Sequence, residues 1–159
     1  IVRISTKQLG GISTLLSEVI QNVTHSQVVG HSFMQIYDIG NKNRVHIGVV
    51  DTGLGIESSL SIKYPNLHNA SEYIKLALSS GVTSKPQGDG LGLYQVDNII
   101  RRDRGAFTIR SGTGMLQVYK GSIYQWDNLA NIPGTQVYIT MWGHNEQRNW
   151  KCLLHDSTK

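Results

Sequence analysis

The sequence predicts an α+β domain in which helices pack on one face of a mixed, largely antiparallel sheet. Two strand-like runs, 32–39 and 44–51, are joined by the short connection 40–43, which is typical of an antiparallel hairpin. Helical periodicity alternates with further strand patterns along the chain. Because strands occur as hairpins as well as beside helices, a purely parallel βαβ array is excluded.

Each element follows from a local pattern. The first helix is expected to begin at Ser13 or Thr14 and to run to about Ser26. Its apolar face would consist of Leu15, Leu16, Val19, Ile20 and Val23. The nearly all-apolar run 44–51 predicts a central strand. The later elements are a helix over 70–79 ended by Gly81, a helix from about Gly90 to Arg102 that buries Leu93, Val96, Ile99 and Ile100, and strands over 106–110, 115–120, 122–126 and 135–142.

Length and composition indicate one globular domain. The chain has 159 residues, of which 39% are hydrophobic and 16% charged, so it can bury a core without disulfides or metals. Its single cysteine, Cys152, cannot form an internal disulfide and favours a cytoplasmic location. The chain opens at Ile1 in a strand-like run, and we therefore expect a segment of a longer protein.

The charge balance argues against nucleic acid as a partner. The formal net charge is +4, and the one basic cluster, 101–104, is interrupted by Asp103. A balance of this size mainly affects solubility and weak electrostatic steering. No apolar run approaches the roughly 20 residues of a membrane span.

Three polar residues of the first helix lie on one stripe. At 100° per residue, Glu18, Asn22 and His25 fall within roughly 60° of one another, away from the apolar face. A carboxylate, an amide and an imidazole would thus be presented together. Polar residues at this spacing also occur on ordinary solvated helix faces.

An acidic residue directly follows the most apolar strand. Asp51 needs a partner there, because an unpaired buried charge is costly. Gly53 and Gly55 would let the backbone turn sharply and let a flat ligand approach. A simple strand-ending turn is the alternative.

A glycine-rich stretch, 88–93, leads into a predicted helix. Free N–H groups at a helix N-terminus favour phosphate. The stretch is not a P-loop, because no Gly-Lys-Ser/Thr follows, and a long polar loop instead of a strand precedes it. A glycine-rich loop without a ligand is the alternative. Gly134-Thr135, before the last strand, carries no information alone.

Together these four stretches resemble the motifs of the GHKL ATPase superfamily: Glu-x-x-x-Asn, Asp-x-Gly-x-Gly-Ile, Gly-x-Gly-Leu-Gly-Leu and Gly-Thr, in that order over about residues 10–142. The resemblance implies the Bergerat fold, a two-layer α/β sandwich. The Gly-Leu-Gly-Leu sequence is more similar to the kinase branch of the superfamily than to its chaperone or topoisomerase branches. Residues 57–88, which would form the lid over the nucleotide, nevertheless lack the Phe that is usual in sensor histidine kinases. The pattern is similar to compact bacterial ATPases related to anti-sigma-factor kinases.

The resemblance implies a site for ATP and Mg²⁺. Asn22 would ligate the metal, and Glu18 would orient or deprotonate the attacking water. Asp51 would accept a hydrogen bond from the adenine amine, with Thr135 acting through a shared water. The adenine would be lined by Gly53, Gly55 and Ile56.

The resemblance also assigns the phosphate contacts. Residues 57–88 would form a lid over the nucleotide, and His25 would either touch a phosphate or cap its helix. The other phosphate contacts would be Thr83, Ser84, Lys85, Gly88, Gly90, Leu91, Gly92 and Leu93.

Three functions follow from the resemblance and stay open at this point. One is a kinase acting on a protein Ser, Thr or His. Another is an ATPase that drives a conformational or dimerisation cycle. The third is a module that senses ATP or ADP without turnover. Each implies a protein partner or other domains of the same chain.

Overall fold

The structure, a computed structural model, describes the backbone of residues 6–25, 29–39, 42–84 and 90–142. Side chains are described for residues 10–21, 29–37, 44–84 and 90–142. These residues form an α+β fold of a six-stranded sheet and four helices. The elements are α1 (Thr6–His25), β1 (Gly30–Ile39), β2 (Lys42–Asp51), α2 (Ile56–Leu60), α3 (Ala70–Ala77), α4 (Gly92–Arg102), β3 (Ala106–Gly112), β4 (Gly114–Tyr119), β5 (Ser122–Trp126) and β6 (Ile132–Trp142).

The sheet is antiparallel throughout the described strands, with the order β1-β2-β6-β3-β4-β5. The expectation of a mixed sheet was therefore wrong. Strands β2 and β3 run in the same direction, but β6 lies between them and pairs antiparallel with both. The last strand thus separates the two strands that would otherwise have formed a parallel pair.

The core lies between the helices and one face of the sheet. Alternate residues of each strand face the helices, as the two-residue strand period requires. On the central strands these side chains are almost completely buried, and with α1, α3 and α4 they form one apolar cluster. The cluster includes Leu15, Val19, Val45, Ile47, Ile74, Val96, Ile100, Phe107, Ile109, Leu116, Ile139 and Met141.

Helix α1 begins at Thr6 and ends at His25, so its expected start at residue 13 or 14 was wrong. Ser13 and Thr14 suggested an N-cap, but the helix already includes Gly10 and Gly11, and Gly11 allows close packing against α4. A Cβ there would lie only 3.3 Å from side-chain atoms of Ile99 and Arg102. Tertiary packing therefore outweighs the low helix propensity of glycine. The buried face includes Ile12, whereas Ile20, expected in the core, is 41% exposed.

The connection after β2 is more ordered than the sequence indicated. It contains α2 as well as the predicted α3, and Leu60, Tyr73 and Ile74 are buried. Ser71 anchors α3 to the far edge of the sheet, since its N–H and hydroxyl donate to the Asp127 carboxylate at 2.9 and 2.6 Å. The stretch from α2 to α3 is thus an integral part of the packed domain.

The remaining predicted elements were confirmed with small shifts. Helix α4 begins at Gly92 and ends at Arg102, β5 has the expected bounds, and β6 begins at Ile132, three residues earlier than expected. No helix in the described part of the chain is long and apolar enough to cross a membrane.

Candidate functional site

Asp51 is the last residue of β2. It lies at the end of the sheet where β3 also ends and β6 begins. Its Oδ1 atom accepts hydrogen bonds from the backbone N–H groups of Gly53, at 2.8 Å, and Thr135, at 3.2 Å. The first bond closes a local turn, and the second joins residues 84 positions apart in the chain. No donor of the described residues bonds to Oδ2. The backbone thus holds the carboxylate through its Oδ1 atom.

Two glycines permit this arrangement. Gly134 has φ +70°, and a Cβ on it would collide with the backbone carbonyl and the carboxylate of Asp51. Gly55 has φ +80°, and a Cβ there would lie 2.8 Å from Ser111 Oγ. Positive φ and the close approach both require glycine at these positions. Gly55, singled out from the sequence, therefore has a structural reason for being glycine.

Ser111, at the end of β3, connects the same segments and was missed by the sequence analysis. Its buried hydroxyl donates to the Gly134 carbonyl at 2.8 Å and accepts from the Ile56 N–H at 2.9 Å. The Thr135 hydroxyl lies 3.3 Å from the same oxygen. In the sequence Ser111 belongs to an ordinary Ser-Gly-Thr-Gly turn, so no local signal distinguishes it. The long-range pairing of β3 with β6 gives it this role.

A cavity of about 190 Å³ opens beside this network. Its walls come from the turn after β2 with α2, from the β3–β4 turn and from the start of β6 with the residue before it. The lining residues are Leu54, Gly55, Glu57, Ser58, Ser111, Gly112, Thr113, Asn131, Ile132 and Pro133. Gly55 and Ser111 are shared with the hydrogen-bond network. The fixed carboxylate and the cavity therefore belong to one end of the sheet.

The C-terminal end of α1 lies near this end of the sheet. The Thr52 hydroxyl donates to the carbonyl of Val29 at 3.5 Å, and Val29 is four positions after His25 in the chain. A chain of that length spans at most about 14 Å. Glu18 of α1 is half-buried. Asn22 and His25 lie in α1, but their side chains are outside the described residues.

The glycine-rich stretch before α4 is joined to the loop after α3. Gly90 has φ +61°, and its carbonyl accepts the N–H of Gly81 at 3.1 Å. A Cβ on Gly90 would lie 2.5–2.6 Å from the backbone of Gly81 and Val82. The two ends of the 81–90 loop are therefore held together by backbone contact.

Helix α4 begins immediately after this contact. Leu91 is its N-cap residue, Gly92 is its first residue, and Leu93 packs partly buried against the core. The N-cap residue Leu91 has no side chain that can cap the helix through a hydrogen bond. Three residues separate α4 from β3, so α4 lies antiparallel to β3 and its N-terminus faces the end of the sheet that carries Asp51.

The predicted phosphate-contacting loop is described only in part. Thr83 and Ser84 follow α3, and the Thr83 carbonyl accepts from Lys63 Nζ at 3.2 Å. Lys63 was not singled out from the sequence, and it adds a cation to this loop. Lys85 and Gly88 lie outside the described residues.

The described residues contain no group of three or more His, Cys, Asp or Glu side chains suited to a metal. Comparison of the chain with protein-family models gave no match, and neither did comparison with curated proteins. A functional assignment therefore depends on the geometry at the end of the sheet and on the motifs of the sequence.

Proposed function

We propose that this domain binds ATP with Mg²⁺ in a Bergerat-type site and hydrolyses it or transfers its γ-phosphate within a larger regulatory or signalling protein. The observation that carries the proposal is the Asp51 carboxylate, held by the N–H groups of Gly53 and Thr135. These contacts unite two of the four motifs, which are remote in sequence.

The carboxylate suits adenine better than guanine. Its Oδ1 is already occupied by two backbone donors, so Oδ2 is the atom that would accept from the 6-amino group of adenine. Guanine carries a carbonyl oxygen at that position, which would place two acceptors against each other. A hydrogen bond to a charged group contributes about 1.5–3 kcal/mol, so ATP should bind at least about tenfold more tightly than GTP.

The start of α4 supports the phosphate part of the proposal. The N-terminus of a helix favours an anion, and the backbone of Gly90 is fixed beside Gly81. Because α2 and α3 pack into the domain, the segment that would close over the phosphates is the 79–90 part of the predicted lid. Lys63 would contribute positive charge to this segment.

The catalytic part of the proposal rests on α1. The side-chain oxygen of Asn22 is of the type that Mg²⁺ prefers, and this metal is commonly held by few protein oxygens together with substrate phosphates. Glu18 would activate or orient the attacking water or acceptor hydroxyl. Transfer to protein, hydrolysis and nucleotide sensing without turnover differ in where the γ-phosphate goes.

The central test is Asp51→Asn, measured by titration calorimetry with Mg-ATP and Mg-GTP. The asparagine oxygen can keep the bonds from Gly53 and Thr135, while its NH₂ replaces the free acceptor Oδ2. We expect ATP affinity to fall at least about tenfold, whereas GTP affinity should fall less, because the new donor can face the guanine carbonyl. Equal wild-type affinities for the two nucleotides would contradict the proposal.

Asp127→Asn is the matched control. Asp127 also accepts a backbone N–H, from Ser71 at 2.9 Å, but it does so at β5 and α3. Its replacement perturbs a similar hydrogen bond away from the proposed site. ATP affinity should be unchanged in this variant, and an equal loss in both variants would attribute the effect to general destabilisation.

A second experiment separates binding from chemistry. Glu18→Ala should retain ATP affinity and lower turnover, because a catalytic base acts chiefly in the transition state. Asn22→Ala should remove most of the Mg²⁺ dependence of ATP binding. Incubation with γ-labelled ATP, alone and with the natural partner, would follow the label into protein or free phosphate. Loss of binding with intact turnover in Glu18→Ala would reverse the assigned roles.

A further inference from the structure

The face of the sheet opposite the helices carries aromatic rings in register. The strand pairing places Phe33, Gly48, Tyr138, Thr108, Gln117 and Tyr124 in one row across all six strands. The three rings of this row are 55%, 44% and 47% exposed for Phe33, Tyr138 and Tyr124. At about 4.8 Å per strand the row spans about 24 Å. This open face therefore presents flat apolar surfaces at intervals along a line.

The rings are held by their neighbours. The ring of Phe33 covers Gly48, where a Cβ would collide with it. The Tyr138 ring stacks beside His46, with centroids 5.7 Å apart, and its hydroxyl lies 2.5 Å from His46 Nδ1. A cavity of about 290 Å³ opens here, lined by Phe33, Gln35, Tyr37, His46 and Tyr138. At the other end of the row, Tyr124 stacks with Trp126 at 6.3 Å.

The charges of the open face have one sign among the described side chains. Arg44 and Arg110 lie on this face by strand register, and Lys120 Nζ lies 5.2 Å from the centroid of the Tyr119 ring. The described carboxylates lie elsewhere: Glu18, Glu57, Glu72, Asp97 and Asp103 belong to the helices or the C-cap of α4, while Asp51 and Asp127 bind backbone N–H groups on the helix side. The face therefore matches an anionic partner.

We propose that this open face binds single-stranded nucleic acid, with bases stacked on Phe33, Tyr138 and Tyr124 and phosphates attracted by Arg44 and Lys120. Stacking on exposed rings and a cationic surface are the two features by which sheets hold unpaired strands. A duplex keeps its bases inside, so it could not use the rings. The interrupted basic cluster noted in the sequence belongs to α4 and its C-cap and takes no part.

A second copy of the chain fits this face less well. A two-fold symmetric contact would place the same surface on both sides. The cations Arg44, Arg110 and Lys120 would then meet like charges without a described carboxylate to pair them. Like charges placed together across an interface are unfavourable. The charge pattern thus favours an anion over self-association.

The test uses the full chain and a fluorescein-labelled oligothymidylate of about 12 nucleotides, within the range of known site sizes. Fluorescence anisotropy at about 50 mM salt should show binding at least about tenfold tighter than to a duplex of equal length. Saturating ATP or Asp51→Asn should leave this affinity unchanged, because thymine has no 6-amino group for the Asp51 site. Failure of oligothymidylate binding would therefore leave the proposed ATP function untouched, and failure of ATP binding would leave the nucleic-acid proposal untouched.

Substitutions in the aromatic row of the open face test whether this face is the binding surface. Tyr138→Ala and Tyr124→Ala should each weaken oligothymidylate binding about tenfold, whereas Tyr138→Phe keeps the ring and should retain binding. Tyr64→Ala, which alters a tyrosine outside the face, is the matched control. Arg44→Ala should reduce the slope of affinity against salt by about one. Circular dichroism melting of each variant separates loss of binding from loss of folding.

Three outcomes would overturn the proposal. One is an absence of binding at about 100 µM protein, where even non-specific complexes form. Another is equal weakening by Tyr138→Ala and Tyr64→Ala. The third is sedimentation showing a dimer that Tyr138→Ala dissociates while the oligothymidylate does not bind, which would identify the face as a contact between copies of the chain.

Discussion

The two faces of the sheet differ in what their side chains contact, although they come from the same strands. On β6, Val137 and Ile139 face the helices and are buried, whereas Tyr138 between them is 44% exposed. On β3, Phe107 is completely buried. Large apolar groups thus occupy both faces, but the helices cover only one. The difference shows that apolar character alone does not make a residue part of the core.

The enclosed and open parts should therefore respond differently to equivalent substitutions. Burial stabilises in proportion to the apolar area removed from water, and an exposed ring has lost only part of its contact with solvent. The enclosed part should carry most of the folding free energy. The open part should carry binding surface that can change at little cost to stability.

The largest difference is expected between two aromatic residues. Phe107→Ala should lower the free energy of unfolding by about 3–5 kcal/mol, because it leaves a cavity in the core. Tyr124→Ala on the open face should cost less than about 1 kcal/mol. Urea denaturation followed by circular dichroism measures both. Equal losses would mean that the open face is covered in solution.

Two glycines with positive φ give the next comparison. Gly134→Ala should destabilise by about 2–4 kcal/mol, since an alanine must adopt φ +70° and its Cβ would collide with Asp51. Gly121→Ala shares the positive φ, at +81°, but its Cβ would meet nothing within 4 Å. It should cost only about 1–2 kcal/mol. Thermal melting measures both losses of stability. The amount by which the loss in Gly134→Ala exceeds that in Gly121→Ala is the cost of crowding at the Asp51 site.

Two serines test the enclosed hydrogen bonds. Ser111→Ala should cost about 1–3 kcal/mol, because the half-buried N–H of Ile56 loses its acceptor. Ser122→Ala, at an exposed position of β5, should change stability by less than about 0.5 kcal/mol. If the two variants melt at the same temperature, Ser111 does not hold the end of β3 to the turn after β2.

The smallest effect is a dependence on pH at the open face. Burial, and then the nearby charge of Arg44, lower the pKa of His46 below its ordinary value of 6.5. The unfolded chain therefore takes up this proton before the folded chain does. The stabilising contribution is full above pH 6.5 and is lost as the pH falls from there through the lower pKa of the folded state.

The measurement is the melting temperature of the wild type and of His46→Gln between about pH 5 and 7.5, a range that spans the ordinary histidine pKa. The wild type should lose more stability than the variant as the pH falls. Parallel curves would show that His46 titrates alike in the folded and unfolded chains.

Much of the fold was predictable because it depends on local patterns. Alternation of apolar and polar residues indicated the β1–β2 hairpin, and helical periodicity located α3 and α4 to within a few residues. The start of α1 was missed because Ser13 and Thr14 are good N-cap residues, while the packing of Gly11 against α4 is non-local. The packed connection after β2 was missed because α2 has only five residues, which is too short for a clear helical period.

The candidate site was predictable only in part. The sequence singled out Asp51, Gly55 and Thr135 through motifs that resemble a known superfamily. It did not indicate Ser111 or the crowding at Gly134, because both depend on contacts between segments far apart in the chain. Lys63 was likewise hidden in a polar connection, and only folding places its amine at the Thr83 carbonyl.

Apart from α2, the sequence by itself determined the order of helices and strands and the alternation of side chains along each strand, since both follow from residue spacing. Tertiary structure decided that β6 enters between β2 and β3, which brings the N–H of Thr135 to the carboxylate of Asp51. It also decided which of two apolar strand faces the helices cover. A period of two divides residues between faces, but only packing among distant elements determines which face is removed from water.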